Sequence, residues 1–489
     1  MEDGVTTNPL EQPPPMIGKV FKAYDIRGVY PDPLDEKMGW QIGYGSAQFL
    51  LAEAANDGDS TPMMKHLVVG RDMRTHSPSL RDALCQGMID GGASVIDIGM
   101  VDTPFIYFAI NHLDCAGGVQ VTASHNPPKY NGFKISKRKA KPVGESTGLD
   151  EVRKAAATVD DRIRGNVSGH IEQRDLWDAY SKHVLSFLDA EAIRKRGGLK
   201  IVVDASNGMA GTMVPRIFGR KGANIDAVEI IELYFDNTSG EFVHEPNPLV
   251  VENLADLCRK VVETKADLGV CFDGDADRLM VVDEKGEPIG CDLLTAFLVS
   301  RFLKQNPGSA IVYDLRSSKA LQEAIFEAGG KPVRSRVGHV FMKAALAQHK
   351  AVFGGELSGH FYFRDNFNAD SGAIALAVLL SAVAEGGRPV SELLAPMRRY
   401  VQSGELNFEV EDKDATLADL RAEFGPRGTV DDLDGVTIDC FKTEGWWCNV
   451  RKSNTEPLLR LNVEARDAKL LETILEEIMP LLGTPVAGH

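Results

Sequence analysis

Short β-branched apolar runs alternate with longer segments whose apolar residues recur at helical spacing, and this pattern appears three times. The first copy, HLVVGRDMRTHSPSLRDALCQGMIDGGASVIDIGMV, begins at His66. The second, KIVVDASNGMAGTMVPRIFGRKGANIDAVEI, begins at Lys200, and the third, AIVYDLRSSKALQEAIFEAGGKPVRSRVGH, at Ala310. In each, an apolar run too short for a helix enters a polar turn with Arg or Asp. A helical segment follows, ends in GG or KG, and leads to another extended run. Such units predict parallel strands joined by crossover helices. Copies separated by more than 100 residues predict three α/β domains of related design. A solenoid would repeat every 20–50 residues or so.

The chain beyond Tyr400 changes pattern. GELNFEVED, GVTIDCF, GWWCNVR and PLLRLNVEA alternate apolar and polar residues, with ATLADLRAEF and a final amphipathic stretch from Ala468 as helices. Alternating strands with segregated helices predict a small C-terminal α+β domain. The apolar stretch AIALAVLLSAVA, Ala373 to Ala384, is too short to span a bilayer and predicts a core helix. The fold class expected is therefore α/β, with three related α/β domains on mixed sheets and a C-terminal α+β domain.

Composition narrows the partners. With 54 Lys+Arg against 70 Asp+Glu in 489 residues, the net charge is −16. That disfavours broad contact with nucleic acid or an anionic membrane, and leaves room for a small basic pocket. The seven cysteines are odd in number and never spaced CxxC, so buried free thiols and a reducing compartment are expected. The start, MEDGVTTNPLEQPPPMIGK, lacks the basic and apolar regions of a signal peptide and suggests a flexible tail. A cytoplasmic location is the expectation.

Four segments carry chemistry. In GGVQVTASHNPPKYNGFK, residues 117–134, an apolar strand runs into Ser124 and His125, and the following prolines delay any helix. Ser124 is expected on an exposed loop at a strand end, where α/β proteins place ligands. With His125, Asn126 and Lys134 nearby, the segment holds the groups that phosphoryl transfer needs. It is not a G-x-S-x-G elbow, which disfavours acyl transfer. In ADLGVCFDGDADRLMVVDEKGEPIG, a strand delivers Asp273, Asp275 and Asp277 together. These carboxylates would repel one another unless a hard cation, Mg²⁺ or Ca²⁺, lay between them; a solvated acidic turn is the alternative. An EF-hand is excluded because Arg278 stands where its loop needs glycine. In GGELSGHFYFRD, Glu356, Ser358 and His360 form a wall of hydrogen-bonding groups suited to a sugar. In RKSNTEPLLRLNVEA, Arg451, Ser453, Asn454 and Thr455 gather a guanidinium and hydroxyls in one turn, a phosphate cradle without the nucleotide P-loop pattern.

KAYDIRG, TASHNPPKYNGFK, DGDADR, GELSGH and RKSNTEP, in this order, resemble the α-D-phosphohexomutases, and among them the phosphomannomutase/phosphoglucomutase branch. The resemblance covers nearly the whole chain, from about Phe21. It implies four domains around a central cleft: a tail over 1–16, then 17–169, 170–287, 288–399 and 400–489. It implies a mutase that interconverts hexose 6- and 1-phosphates, of mannose and glucose, through a phosphoserine and a hexose 1,6-bisphosphate. Ser124 would carry the phosphoryl group and ligate Mg²⁺ with Asp273, Asp275 and Asp277. His125, Lys134, Arg278 and His339 would be catalytic, with Lys134 and His339 the acid–base candidates, their two roles unassigned. Tyr24, Arg27, Arg316, Glu356, Ser358, His360, Arg451, Ser453, Asn454 and Thr455 would bind substrate. Glucose or mannose 1,6-bisphosphate would be the activator, hexose phosphates the only partners named, and the oligomeric state stays open between monomer and dimer. Arg316 stands where many relatives have lysine, which leaves its sugar contact open. Phosphoglucosamine mutase is the nearest alternative, although those enzymes usually carry Gln at the position of Leu357. A phosphosugar hydrolase or a non-catalytic binder is the alternative outside the class.

Overall fold

A computed structural model of the chain describes residues 16–58, 61–165, 169–219, 227–453 and 458–486. The expected tail over residues 1–16 therefore lies outside the described residues, apart from Met16, which opens the 3-10 turn Met16–Lys19.

Each repeated unit forms a parallel strand–helix–strand. His66–Arg71, helix Ser77–Asp90 and Ser94–Met100 make the first. Leu199–Asp204, helix Ala210–Ile217 and Val228–Leu233 make the second, and Ala310–Asp314, helix Lys319–Glu327 and Lys331–Ser335 the third. In all three sheets a further parallel strand joins the unit and then returns as an antiparallel hairpin. The pairs are Gly117–Val121 with Tyr130–Lys137, Leu268–Phe272 with Leu279–Asp283, and Phe353–Gly355 with Phe361–Phe363. The three sheets thus share one strand order, and the hairpin loop of each occupies an equivalent edge position.

The sheets are mixed for a physical reason. Parallel strands need helices on their faces, while a hairpin needs only a turn, so the return strand adds without a crossover. The central strands are buried end to end, as continuous apolar runs such as LGVCF and AIVYD require. The apolar stretch near Ala373 forms the buried helix Gly372–Gly386. Among the described residues no single helix is long and apolar enough to cross a membrane.

The fourth sheet is antiparallel throughout, ordered Thr429–Asp431, Val436–Asp439, Trp446–Lys452, Leu458–Ala465, Val401–Glu409, Thr484–Val486. Helices Lys413–Phe424 and Ala468–Ile478 cover it around Trp446 and Ile474. All seven cysteines are free thiols, and all but Cys258 are buried.

Two sheets run past their expected boundaries. Ile171–Gln173 pairs with Ser94–Met100, extending the first sheet beyond residue 169, and Pro288–Ile289 pairs with Leu279–Asp283, extending the second beyond 287. Both are two- or three-residue edge strands without an apolar run, so periodicity carries no trace of them.

Candidate active site

The three equivalent hairpin loops meet in one cleft. In loop 122–129, Ser124 takes a left-handed backbone with φ of 50°. A residue with a side chain pays about 1–2 kcal/mol for that conformation. Its Oγ donates to Asp273 Oδ2 at 2.9 Å and lies 3.4 Å from His125 Nδ1. The expected exposure of Ser124 is corrected: it is buried, because loop 273–278 closes over it. A Cβ on Gly274 would stand 2.3 Å from the Ser124 carbonyl oxygen, so only glycine permits the approach.

Loop 273–278 places Asp273, Asp275 and Asp277 so that their carboxylate oxygens lie within 4.8 Å of one another, all buried. Thr103 Oγ1, at the start of helix Thr103–Leu113, donates to Asp275 Oδ2 at 2.5 Å. Lys134 Nζ donates to Asp275 Oδ2 at 2.7 Å and to Asp277 Oδ2 at 2.6 Å. Among the described residues Asp275 Oδ1 and Asp277 Oδ1 find no hydrogen-bond donor, although His360 Nε2 is 3.3 Å from the latter. Buried carboxylate oxygens without donors are costly, and an oxygen-only set with spare lone pairs suits a hard divalent cation. The residues present therefore fit such an ion.

The electrostatics of this end are those of crowded anions. Burial and then Asp277 and Asp275 push the Asp273 carboxyl up. Burial works against ionised Asp277, but Lys134 and His360 hold it well below the usual carboxylate range. Burial also opposes the Lys134 charge, yet Asp275 and Asp277 keep its ammonium protonated well above the ordinary lysine value. His125 is pushed well down by desolvation and by Arg278, Arg27 and Lys134, which leaves a neutral imidazole beside Ser124. Arg278 N–H donates to Asp273 Oδ1 at 3.2 Å, and Arg27 Nη1 donates to Asn126 on the serine loop.

Loop 356–360 forms the middle of the cleft. A bridge between Arg278 and His360 ties it to the aspartate loop. Ser358 Oγ and His360 Nδ1 are 2.9 Å apart. Glu356 accepts from Gly338 N–H at 2.9 Å and from the Tyr362 hydroxyl. Gly338 precedes helix His339–His349, whose first residue meets the Tyr24 ring edge-on at 5.8 Å. Burial, then Lys343 and Lys134, hold His339 well below its usual range. Burial and Asp434 raise Tyr24.

At the far end Arg316 and Arg451, both expected in the site, meet two residues that the sequence reading missed, Glu405 and Arg460. Glu405, on strand Val401–Glu409, accepts from Arg451 Nη2 at 2.8 Å, Arg316 Nη1 at 3.3 Å and Arg460 Nη1 at 2.9 Å. Burial opposes its charge, but Arg316, Arg451 and Arg460 bring the carboxyl down to about 2. Arg316 also forms a two-pronged pair with Asp314, at 3.2 and 2.9 Å. Asp314 in turn accepts the Leu357 N–H at 2.7 Å, which links this end to the middle loop. Arg451 is 2% exposed, its Nε finds no partner among the described residues, and burial and then Arg316 lower its pKa. Ser453 N–H donates to Leu458 O at 2.9 Å, while Asn454 and Thr455 lie outside the described residues. Glu405 gave no signal, being one acid in an alternating strand. Thr103 and Tyr362 likewise sit in apolar surroundings that read as core.

Comparison with known proteins matches all four regions. Phosphoglucomutase/phosphomannomutase alpha/beta/alpha domains I, II and III match residues 18–162, 178–286 and 292–400. The C-terminal domain of the same family matches residues 405–481. A Xanthomonas campestris pv. campestris protein named phosphohexose mutases is 40% identical over 466 residues, 94% of this chain and 98% of that protein. A Salmonella montevideo phosphomannomutase is 37% identical over 469 residues, 95% and 99% of the two chains. The crystal structure of a phosphoglucomutase/phosphomannomutase family protein from Burkholderia thailandensis superposes with a TM-score of 0.82 at 32% identity, covering 95% of this chain and 96% of that one.

Proposed function

The chain belongs to the phosphoglucomutase/phosphomannomutase family and is a hexose-phosphate mutase, and from that premise we propose that it interconverts mannose 6- and 1-phosphate, and the glucose pair, through a phosphoryl group carried on Ser124. One observation carries the assignment: a buried serine hydroxyl on a carboxylate cluster at one end, and buried guanidiniums at the other.

Transfer breaks the bond between Ser124 Oγ and phosphorus and forms one between phosphorus and a sugar hydroxyl oxygen, whose proton leaves to a base. The resulting 1,6-bisphosphate turns around, its other phosphate returns to Ser124, and the isomeric monophosphate departs. Asp273, Asp275 and Asp277 would hold Mg²⁺, which when bound neutralises the moving phosphoryl oxygens. Lys134, Arg278 and Arg27 would add positive charge around the phosphoryl group. Of the acid–base candidates, His339 is deprotonated near neutral pH and able to accept the hydroxyl proton.

Arg451, with Ser453, Asn454 and Thr455, would grip the phosphate that is not transferred, since a guanidinium fork suits phosphate oxygens. Glu356, Ser358 and His360 would meet the sugar hydroxyls from loop 356–360. A neutral hexose fits that loop better than an amino sugar, because Leu357 brings no hydrogen-bonding side chain where glucosamine enzymes usually place Gln.

Turnover of mannose, glucose and glucosamine 1-phosphates, with inorganic phosphate followed in parallel, tests the reading. Preference for the first two without phosphate release is expected. Preference for the amino sugar overturns the substrate choice, and phosphate released in step with substrate loss makes the protein a hydrolase.

A further inference from the structure

The loop that carries Ser124 cannot satisfy itself. Pro127 and Pro128 supply no N–H, and within residues 122–130 the loop makes only two backbone bonds of its own, Asn126 N–H to Ala123 O and Tyr130 N–H to Pro127 O. Four of its carbonyls meet one side chain, while Pro128 O faces His76 Nε2 at 3.0 Å and Lys129 O accepts the Tyr30 N–H at 2.9 Å. Arg74 follows the first repeat's strand, in the turn GRDMRTHS, and its guanidinium is completely buried. Nη2 donates to Ser124 O at 3.0 Å and Asn126 O at 2.6 Å. Nη1 donates to Pro127 O at 2.8 Å and Tyr130 O at 3.0 Å. Nε donates to Asp72 Oδ2 at 3.1 Å, and Phe242, from the second domain, lies 5.3 Å from the guanidinium carbon.

All five N–H groups of the guanidinium are thus used, four of them on one loop. An ammonium has three donors and no fixed plane, so lysine cannot reproduce the arrangement. The strained backbone of Ser124 persists only where its surroundings over-determine it. Gly274 stands against the Ser124 carbonyl from outside, Arg74 holds that same carbonyl from within, and the Ser124 N–H donates to Thr122 Oγ1 at 2.9 Å.

We propose that Arg74 is a positioning residue for phosphoryl transfer. By holding four carbonyls of loop 122–130 it fixes Ser124 in the left-handed conformation that aims Oγ at Asp273. The proposal rests on the reading of Ser124 as phosphoryl carrier. Arg74 touches no reacting atom, so its loss acts on the rate of transfer and spares substrate affinity.

The test uses full-length dephosphorylated enzyme, Mg²⁺ and glucose 1,6-bisphosphate, with the label on Ser124 followed by rapid quench and mapped by mass. Wild type is expected to label at Ser124; labelling elsewhere refutes the carrier reading itself, independently of Arg74. In Arg74→Lys the labelling rate is expected to fall about 100-fold, the size of a misplacement near 1 Å, with KM for hexose phosphate within about threefold. Asp72→Asn, which keeps the guanidinium but weakens its anchor, is expected to lose about tenfold, and it carries the test if Arg74→Lys does not fold. Wild-type labelling rate in a folded variant overturns the proposal. So does a lowered labelling amplitude at unchanged rate, the mark of a merely structural role, or a raised KM with unchanged kcat.

Discussion

At one end of the cleft three carboxylates from residues 273–277 converge on Ser124; at the other, Arg316, Arg451 and Arg460 converge on Glu405. The first cluster has anionic oxygens without donors among the described residues and so calls for a cation. The second has more guanidinium than carboxylate, even after Asp314 takes a share of Arg316, and so calls for an anion. On the proposed reading, a hexose bisphosphate with a divalent ion would match both ends at once. The acidic end is built by one tight loop, the basic end by Arg316 of the third domain and by Glu405, Arg451 and Arg460 on three strands of the fourth. A tight loop fixes geometry locally, whereas a dispersed cluster depends on two domains staying in register. Damage should therefore be chemical at one end and conformational at the other.

The comparison can be broken at four points. Ser124→Ala should abolish mutase turnover by at least about 10⁴-fold while leaving the melting temperature near wild type. Appreciable turnover in that variant would remove the serine from the mechanism. Asp275→Asn should cost about 100-fold in kcat and erase the Mg²⁺-dependent rise in melting temperature expected of wild type. Chelation should stop wild-type turnover and added Mg²⁺ restore it; an intact Mg²⁺ shift in Asp275→Asn would relocate the metal.

Glu405→Gln probes the other end through stability. The folded carboxyl, at about 2, lies below its ordinary value of 4.5, so its contribution is full above 4.5 and is lost as pH falls toward about 2. Urea unfolding at pH 7 should show a loss on the order of 3 kcal/mol, shrinking as pH drops below 4.5. A pH-independent loss would mean that packing, not charge, holds the third and fourth domains together there. Arg316→Lys should have the smallest effect, about threefold in KM, because charge remains while the two-pronged bond to Asp314 goes. A hundredfold rise would place Arg316 on the substrate itself.

The two ends also differ in how far the sequence disclosed them. DGDADR and TASHNPP reveal their chemistry because unlike groups crowd into a few residues between apolar strands. The repeated units were equally plain, since short apolar runs admit strands alone. Glu405 was hidden because its partners sit 89, 46 and 55 residues away, and an acid at an alternating strand position reads as solvated surface. Arg74 stood within the first repeat's polar turn, but nothing in one dimension tells that four carbonyls of another loop will close around it. Ser124 was found, yet its burial was not, because the lid over it belongs to a different sheet.

The shared strand order of the three mixed sheets has a wider consequence. Each delivers one hairpin loop at the same edge, and strand pairing anchors both ends of every loop whatever its side chains. On the proposed reading, nucleophile, acid cluster and sugar wall are then three inscriptions on one repeated scaffold. On that reading a foreign loop at 356–360 would rewrite the sugar contacts, and the exchange must keep His360, which meets Asp277 and bridges Arg278, for the phosphoryl chemistry to stay in place.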